Sequence, residues 1–179
     1  MVYDSVHNRT WLADANLAAS NTFNVSGILS NGGMNWNTAQ NWITAMNTAN
    51  YLGFNDWRLP TALNFDGTGP CGPAFNCTLS ELGNMFYGDL NTGLGGTAGV
   101  SIIEPSFHND NYNLFRNIQS FVYWSGTEFS PGSPLAWYFS TTMASSATSI
   151  RAVRCSRGPC APAMSPTFRS STRARGWVL

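Results

Sequence analysis

Asp56-Trp57-Arg58-Leu59-Pro60-Thr61 is the stretch that decides the fold, and it has a counterpart in the second half of the chain, Tyr123-Trp124-Ser125-Gly126-Thr127-Glu128. In an extended chain successive side chains point to opposite sides, so Trp57 and Leu59 turn inward while Asp56 and Arg58 face the other way. Pro60 cannot extend the ladder and ends the strand. The guanidinium of Arg58 is then placed for a bidentate pair with a carboxylate such as Glu128. Upstream, Trp36, Ala39, Trp42, Ile43 and Met46 recur at helical spacing, with Asn35 or Asn37 as N-cap. This predicts an amphipathic helix stopped by Gly53, then a strand over Phe54 to Leu59. Thr78-Leu79-Ser80-Glu81 has the form of a capping box and opens a second helix, with Leu79, Leu82, Met85 and Phe86 on its apolar face. Phe121 to Trp124, Ala136 to Phe139 and Ile150 to Val153 read as three strands of a meander, and Ser130 to Pro134 as the first turn. The pattern is α+β, two short helices with an antiparallel sheet.

At 179 residues and 43% hydrophobic the chain can bury one real core. Only 10% of residues are charged, against a usual share near ~25%. There is no Lys and the formal net charge is +0, so the surface is neutral and polar and offers no field to draw in nucleic acid. No stretch reaches the roughly 18 consecutive apolar residues of a membrane span, and the N-terminus lacks the basic and apolar regions of a signal peptide. Cys71 and Cys77 flank a short loop containing Gly72 and Pro73, and its ends can meet at disulfide distance. That spacing is neither a Cys-x-x-Cys redox motif nor a zinc knuckle. It reads as a structural disulfide that pins the second helix and places the protein in an oxidising compartment; two free thiols are the alternative.

Catalytic patterns are scarce. His7 and His108 are the two histidines, and there is no Gly-x-Ser-x-Gly elbow and no His-Glu-x-x-His. Glu104, Asp110 and Glu128 could pair as carboxylates, but nothing in the sequence fixes their separation. Gly93-Leu94-Gly95-Gly96-Thr97-Ala98 has the letters of a dinucleotide loop, yet it follows a helix rather than a strand, so it reads as a flexible connector. Glu104-Pro105-Ser106 is similar to the Glu-Pro-Asn sugar motif of calcium-dependent lectins, with Ser at the third position and no Trp-Asn-Asp following. The reading is therefore no enzyme, no resident cofactor, and calcium only as the lectin alternative.

The two tryptophan signatures form an ordered series with Thr10-Trp11-Leu12, Asp14-Ala15-Asn16, Cys71 to Tyr87, Ala136-Trp137-Tyr138-Phe139 and Ile150-Arg151-Ala152-Val153-Arg154. The series resembles the Lcl C-terminal domain family, a bacterial domain of unknown function related to the C-type-lectin-like fold of formylglycine-generating enzymes. The resemblance implies a single C-type-lectin-like domain over 1–154. The cysteine pair of those oxidases has no counterpart here. Relatives often carry an export signal, which implies an exported or cell-surface location. Such folds bind through their C-terminal strands and loops, here Trp137 to Ser149. Trp137, Tyr138, Ser140 and Thr142 are the expected contacts for a protein or glycan ligand, and a structural assembly domain without a small ligand is the alternative. Cys155 to Leu179 departs from the family. It holds Arg157, Arg169, Arg173 and Arg175 and no acidic residue, and it is expected to be a disordered, basic, non-native tail.

Overall fold

The computed structural model describes residues 1–131, 135–150, 160–162 and 165–166. The chain opens with an antiparallel hairpin of Val2–Asp4 (β1) and Arg9–Trp11 (β2). The first helix, α1, is Trp36–Thr48, and Asn35 caps it by accepting the Thr38 N–H at 2.8 Å. Its expected face, Trp36, Ala39, Trp42, Ile43 and Met46, is buried in full. Next come Trp57–Arg58 (β3), Ala74–Phe75 (β4) and the helix Glu81–Tyr87 (α2). The meander follows as Val122–Glu128 (β5), Leu135–Ser140 (β6) and Ser145–Ile150 (β7). Cys160–Pro162 (β8) and Ser165–Pro166 (β9) are the last strands described, and short 3-10 helices lie at Leu17–Ala19, Tyr51–Gly53, Pro105–Phe107 and Asp110–Leu114. The main sheet has the order β4-β7-β6-β5-β8, antiparallel except for the β5–β8 pair, and β3 pairs with β9. The protein is thus α+β.

The β5–β6 ladder divides two apolar cores. Trp124 stands opposite Tyr138 and Tyr123 opposite Phe139, so the alternation sends one pair to each face. On one face Trp124 and Ala136 join the apolar stripe of α1 with Trp57 and Leu59. On the other, Tyr123 and Phe139 join Leu82 and Phe86 of α2, with Trp11, Leu94 and Ile102. Buried indoles keep a hydrogen bond where they can. Trp36 donates to the Ser125 carbonyl at 2.7 Å and Trp124 to that of Met34 at 3.0 Å, while Trp42 donates to Asn21 and Trp57 to Tyr51. Among the described residues the indole N–H groups of Trp11 and Trp137 have no acceptor.

Five sequence expectations change. Gly53 does not stop α1, which ends at Thr48, with Asn50 taking the left-handed turn after it at φ +48°. The strand over Phe54 to Leu59 shortens to Trp57–Arg58. The Asn47 side chain takes the place of a neighbouring strand: its amide accepts the Trp57 N–H and donates to the Trp57 carbonyl, both at 2.8 Å. The cap of α2 is Ser80 rather than Thr78; its hydroxyl accepts the Gly83 N–H at 3.2 Å, and Leu79 is left 58% exposed. The third meander strand begins at Ser145, so the expected loop over Ser140 to Ser149 contracts to a turn at 141–144; Arg151 to Arg154 lie outside the described residues. Finally, the glycine run is not a free connector. The N–H groups of Leu94, Gly95 and Gly96 donate to the carbonyls of Met85, Gly88 and Phe86, clasping the C-terminal end of α2. These amides are engaged by the protein itself and make no phosphate cradle.

Of the segment 155–179, β8 runs parallel to β5 and β9 pairs with β3; the remainder lies outside the described residues.

Candidate functional site

Arg58 finds its bidentate partner in Glu81, not Glu128. Its two terminal nitrogens donate to the two carboxylate oxygens at 2.8 and 2.6 Å. Arg9 adds a contact of 3.1 Å and the Thr61 N–H one of 2.7 Å. Glu81 is 4% exposed. Burial alone would push its pKa up, but the hydrogen bonds and charge of Arg58, the Thr61 amide and the charge of Arg9 outweigh this and hold it below the usual carboxylate range. Burial lowers the pKa of Arg9 against the pull of Glu81, whereas the Glu81 hydrogen bond raises that of Arg58. With both oxygens occupied and two cations facing its single negative charge, Glu81 is a structural anion rather than a proton carrier. Arg9 also lies 4.8 Å over the Phe65 ring, whose other ring neighbour, His7, stacks at 4.4 Å and meets Asp4 at 2.8 Å. His108 stacks on Tyr112 at 4.0 Å. Among the described residues no group of three or more His, Cys, Asp or Glu is placed to hold a metal.

Cys71 and Cys77 form the expected disulfide, with Cα atoms 5.7 Å apart. The Cys77 carbonyl accepts the Ser80 hydroxyl at 3.1 Å, so the bridged loop holds the residue that caps α2.

The four expected contact residues separate. Trp137 is 4% exposed and lies beside Phe129, with ring centroids 6.0 Å apart. Tyr138 is half-buried and meets Trp124 edge-on at 6.1 Å, on the α1 face. Ser140 is buried, and its hydroxyl accepts the Met143 N–H at 3.2 Å to shape the turn. Thr142 is exposed. Its hydroxyl accepts from Ser120 at 3.3 Å, and Ser120 meets the Ser101 hydroxyl at 2.6 Å. Sequence reasoning missed Ser101 and Ser120, which lie in stretches without periodicity and gave no signal. Backbone bonds hold the row in place: Ile102 N–H to the Thr141 carbonyl at 3.1 Å, Gly99 N–H to Met143 at 3.2 Å and Thr141 N–H to Phe121 at 2.8 Å. Met143 at 56% and Ile103 at 44% exposure supply apolar surface alongside these segments.

Together these features define a disulfide-stapled α+β domain with a charge-locked interior and a neutral, hydroxyl-bearing turn at one end of its sheet. Residues 1–67 match the family model of the Lcl C-terminal domain, which supports the family that the tryptophan signatures resemble. No curated protein and no solved structure matches the chain.

Proposed function

We propose that this domain is a non-enzymatic, exported binding module of C-type-lectin-like type, and that it meets its ligand through the turn at 141–144 and the strands' end beside it. The observation that carries this reading is the hydroxyl row Ser101–Ser120–Thr142 next to exposed Met143 and Ile103. Short hydroxyl side chains beside a flexible thioether give adaptable polar and apolar contact at low entropic cost. Export is supported by the Cys71–Cys77 disulfide, since such bonds persist in oxidising compartments. A protein or a glycan would suit the row, and calcium would enter only with a ligand that brings oxygens of its own.

The test is a glycan and protein array, with and without calcium, run on the native chain and on a Ser120→Ala/Thr142→Ala/Met143→Ala variant. These positions lie outside the buried core, so the fold should survive. A saturable ligand lost by the variant supports the site. A ligand bound equally well by both places the contact elsewhere, and the absence of any saturable ligand favours a structural assembly domain.

A further inference from the structure

We infer that a second site, for one uncharged sugar ring, lies in a cleft of about 280 Å³ between the turn after β1, the loop at 90–94 and the 3-10 helix Asp110–Leu114. It shares no residue with the hydroxyl row. Four large apolar side chains stand around this one opening, Tyr3 at 58%, Val6 at 57%, Leu90 at 62% and Leu114 at 54% exposure. Exposed apolar residues scattered singly need no explanation, but a cluster around a polar cleft does. Tyr3 is oriented by its hydroxyl, which donates to Asn8 at 2.9 Å, so its ring is a fixed edge of the opening.

Inside, two side-chain amide oxygens are free to accept, beside the Ser5 hydroxyl and one buried indole N–H. The Asn111 amide nitrogen donates to the carbonyls of Leu90 and Gly93 at 3.0 and 2.9 Å, which leaves its oxygen unpaired. The Asn91 nitrogen donates to Asp89 at 3.3 Å, leaving its oxygen likewise. Among the described residues the lining holds no Arg or His, so an anion finds no cation to meet there. Its carboxylate, Asp4, already accepts the N–H groups of Val6 and His7 at 3.1 and 3.0 Å and contacts the His7 ring at 2.8 Å, so a cation finds it occupied. What remains suits a molecule with hydroxyl donors along its edges and C–H faces for an aromatic rim. A neutral pyranose is that molecule. Trp11 lines the cleft, is 4% exposed, and has an indole N–H without an acceptor and closed to bulk water. With the flexible Met85 beside it yielding, a ring hydroxyl oxygen can accept that proton.

The experiment is a two-dimensional NMR titration of the disulfide-intact chain, in a chelator, with the methyl glycosides of glucose, galactose and mannose, with N-acetylglucosamine, and with glucuronate. A Trp11→Phe variant identifies the Trp11 indole signal by its disappearance. At least one neutral sugar should shift the Asn91 and Asn111 side-chain amides and the Trp11 indole saturably, in the millimolar range expected of one ring, roughly 1 to 10 mM. Glucuronate should bind roughly tenfold or more weakly, and Tyr3→Ala and Leu90→Arg should each weaken the neutral sugar roughly tenfold. The inference is overturned if no neutral sugar gives saturable shifts up to roughly 50 mM, if glucuronate binds as well, or if Tyr3→Ala and Leu90→Arg leave the affinity unchanged. Shifts confined to Ser101, Ser120 and Thr142 would overturn it too while supporting the contact surface at the other site.

Discussion

Glu81 is the residue on which most of the buried charge depends. Replacing it with Gln removes the carboxylate that Arg58 and Arg9 share, and because the Arg58 side chain is 36% exposed and Asp4 still faces Arg9, the cost should fall below the roughly 3 to 5 kcal/mol of a fully buried pair, at about 2 kcal/mol; urea unfolding of Glu81→Gln at neutral pH measures it. The pH dependence has a fixed sign. The folded-state pKa of Glu81 is depressed, so its contribution is present above the unfolded value, near ~4.3, and is lost as pH falls through the lower folded value. The native chain should therefore lose stability below about pH 4.5 more steeply than Glu81→Gln. Parallel pH profiles of the two would contradict the assignment. Half of this arrangement was legible in the sequence. The alternation of Trp57 and Leu59 against Arg58 follows from strand geometry alone, and so does the need of Arg58 for a carboxylate. Which carboxylate is a matter of tertiary approach, and Glu81 was hidden because a Glu just after Ser80 is also what a helix start calls for.

At the scale of elements, α1 was readable because five apolar residues fall on one face and all of them are buried. The β7 strand was not, because Ser145-Ser146-Ala147-Thr148-Ser149 offers no apolar alternation and is held by its ladder to β6. Two elements owe their position to local fixtures. The first is the Cys71–Cys77 bridge at the head of α2; reduction should cost about 2 kcal/mol for so small a loop. Denaturant midpoints with and without a reductant decide this, and equal midpoints would mean that the loop holds α2 without the bond. The second is the glycine clasp at the tail of α2. A Cβ at Gly96 would stand 2.2 Å from the Phe86 ring, whereas at Gly99, with φ +76°, it meets nothing within 4 Å. Gly96→Ala should cost about 1 to 3 kcal/mol through overpacking. Gly99→Ala should cost only the strain of a left-handed backbone, about 1 kcal/mol. Thermal unfolding of the pair gives the ranking, and the reverse order would mean that the clasp relaxes freely.

At the scale of the whole molecule, the question is where the domain ends. The composition of Cys155 to Leu179 offers no apolar face, and its described residues meet the core through the short pairings of β8 and β9. Truncation after Arg154 should lower stability only slightly, by about 1 to 2 kcal/mol, and leave the circular dichroism of the sheet intact. A loss of many degrees in Tm would make the segment an integral part of the domain, and no loss at all would make it a tail. The two pairings were not legible in advance because strand propensity is absent there, and partner edges such as β5 recruit backbone irrespective of side chain.

The reciprocal indole bonds, Trp36 to Ser125 and Trp124 to Met34, join positions 89 and 90 residues apart. On a ribosome this timing matters. The α1 stripe is finished early in synthesis, but the surface it must cover arrives with β5, and neither indole can find its carbonyl until that strand has emerged. Nascent chains that stop within the first 67 residues, the part matched by the family model, hold the α1 stripe with Leu12, Leu17, Trp57 and Leu59 but lack Trp124 and Ala136, so this core is incomplete in them. Topology of this long-range kind slows folding. Were the chain exported, as proposed above, such a delay would keep it threadable through a narrow channel until the far half is made.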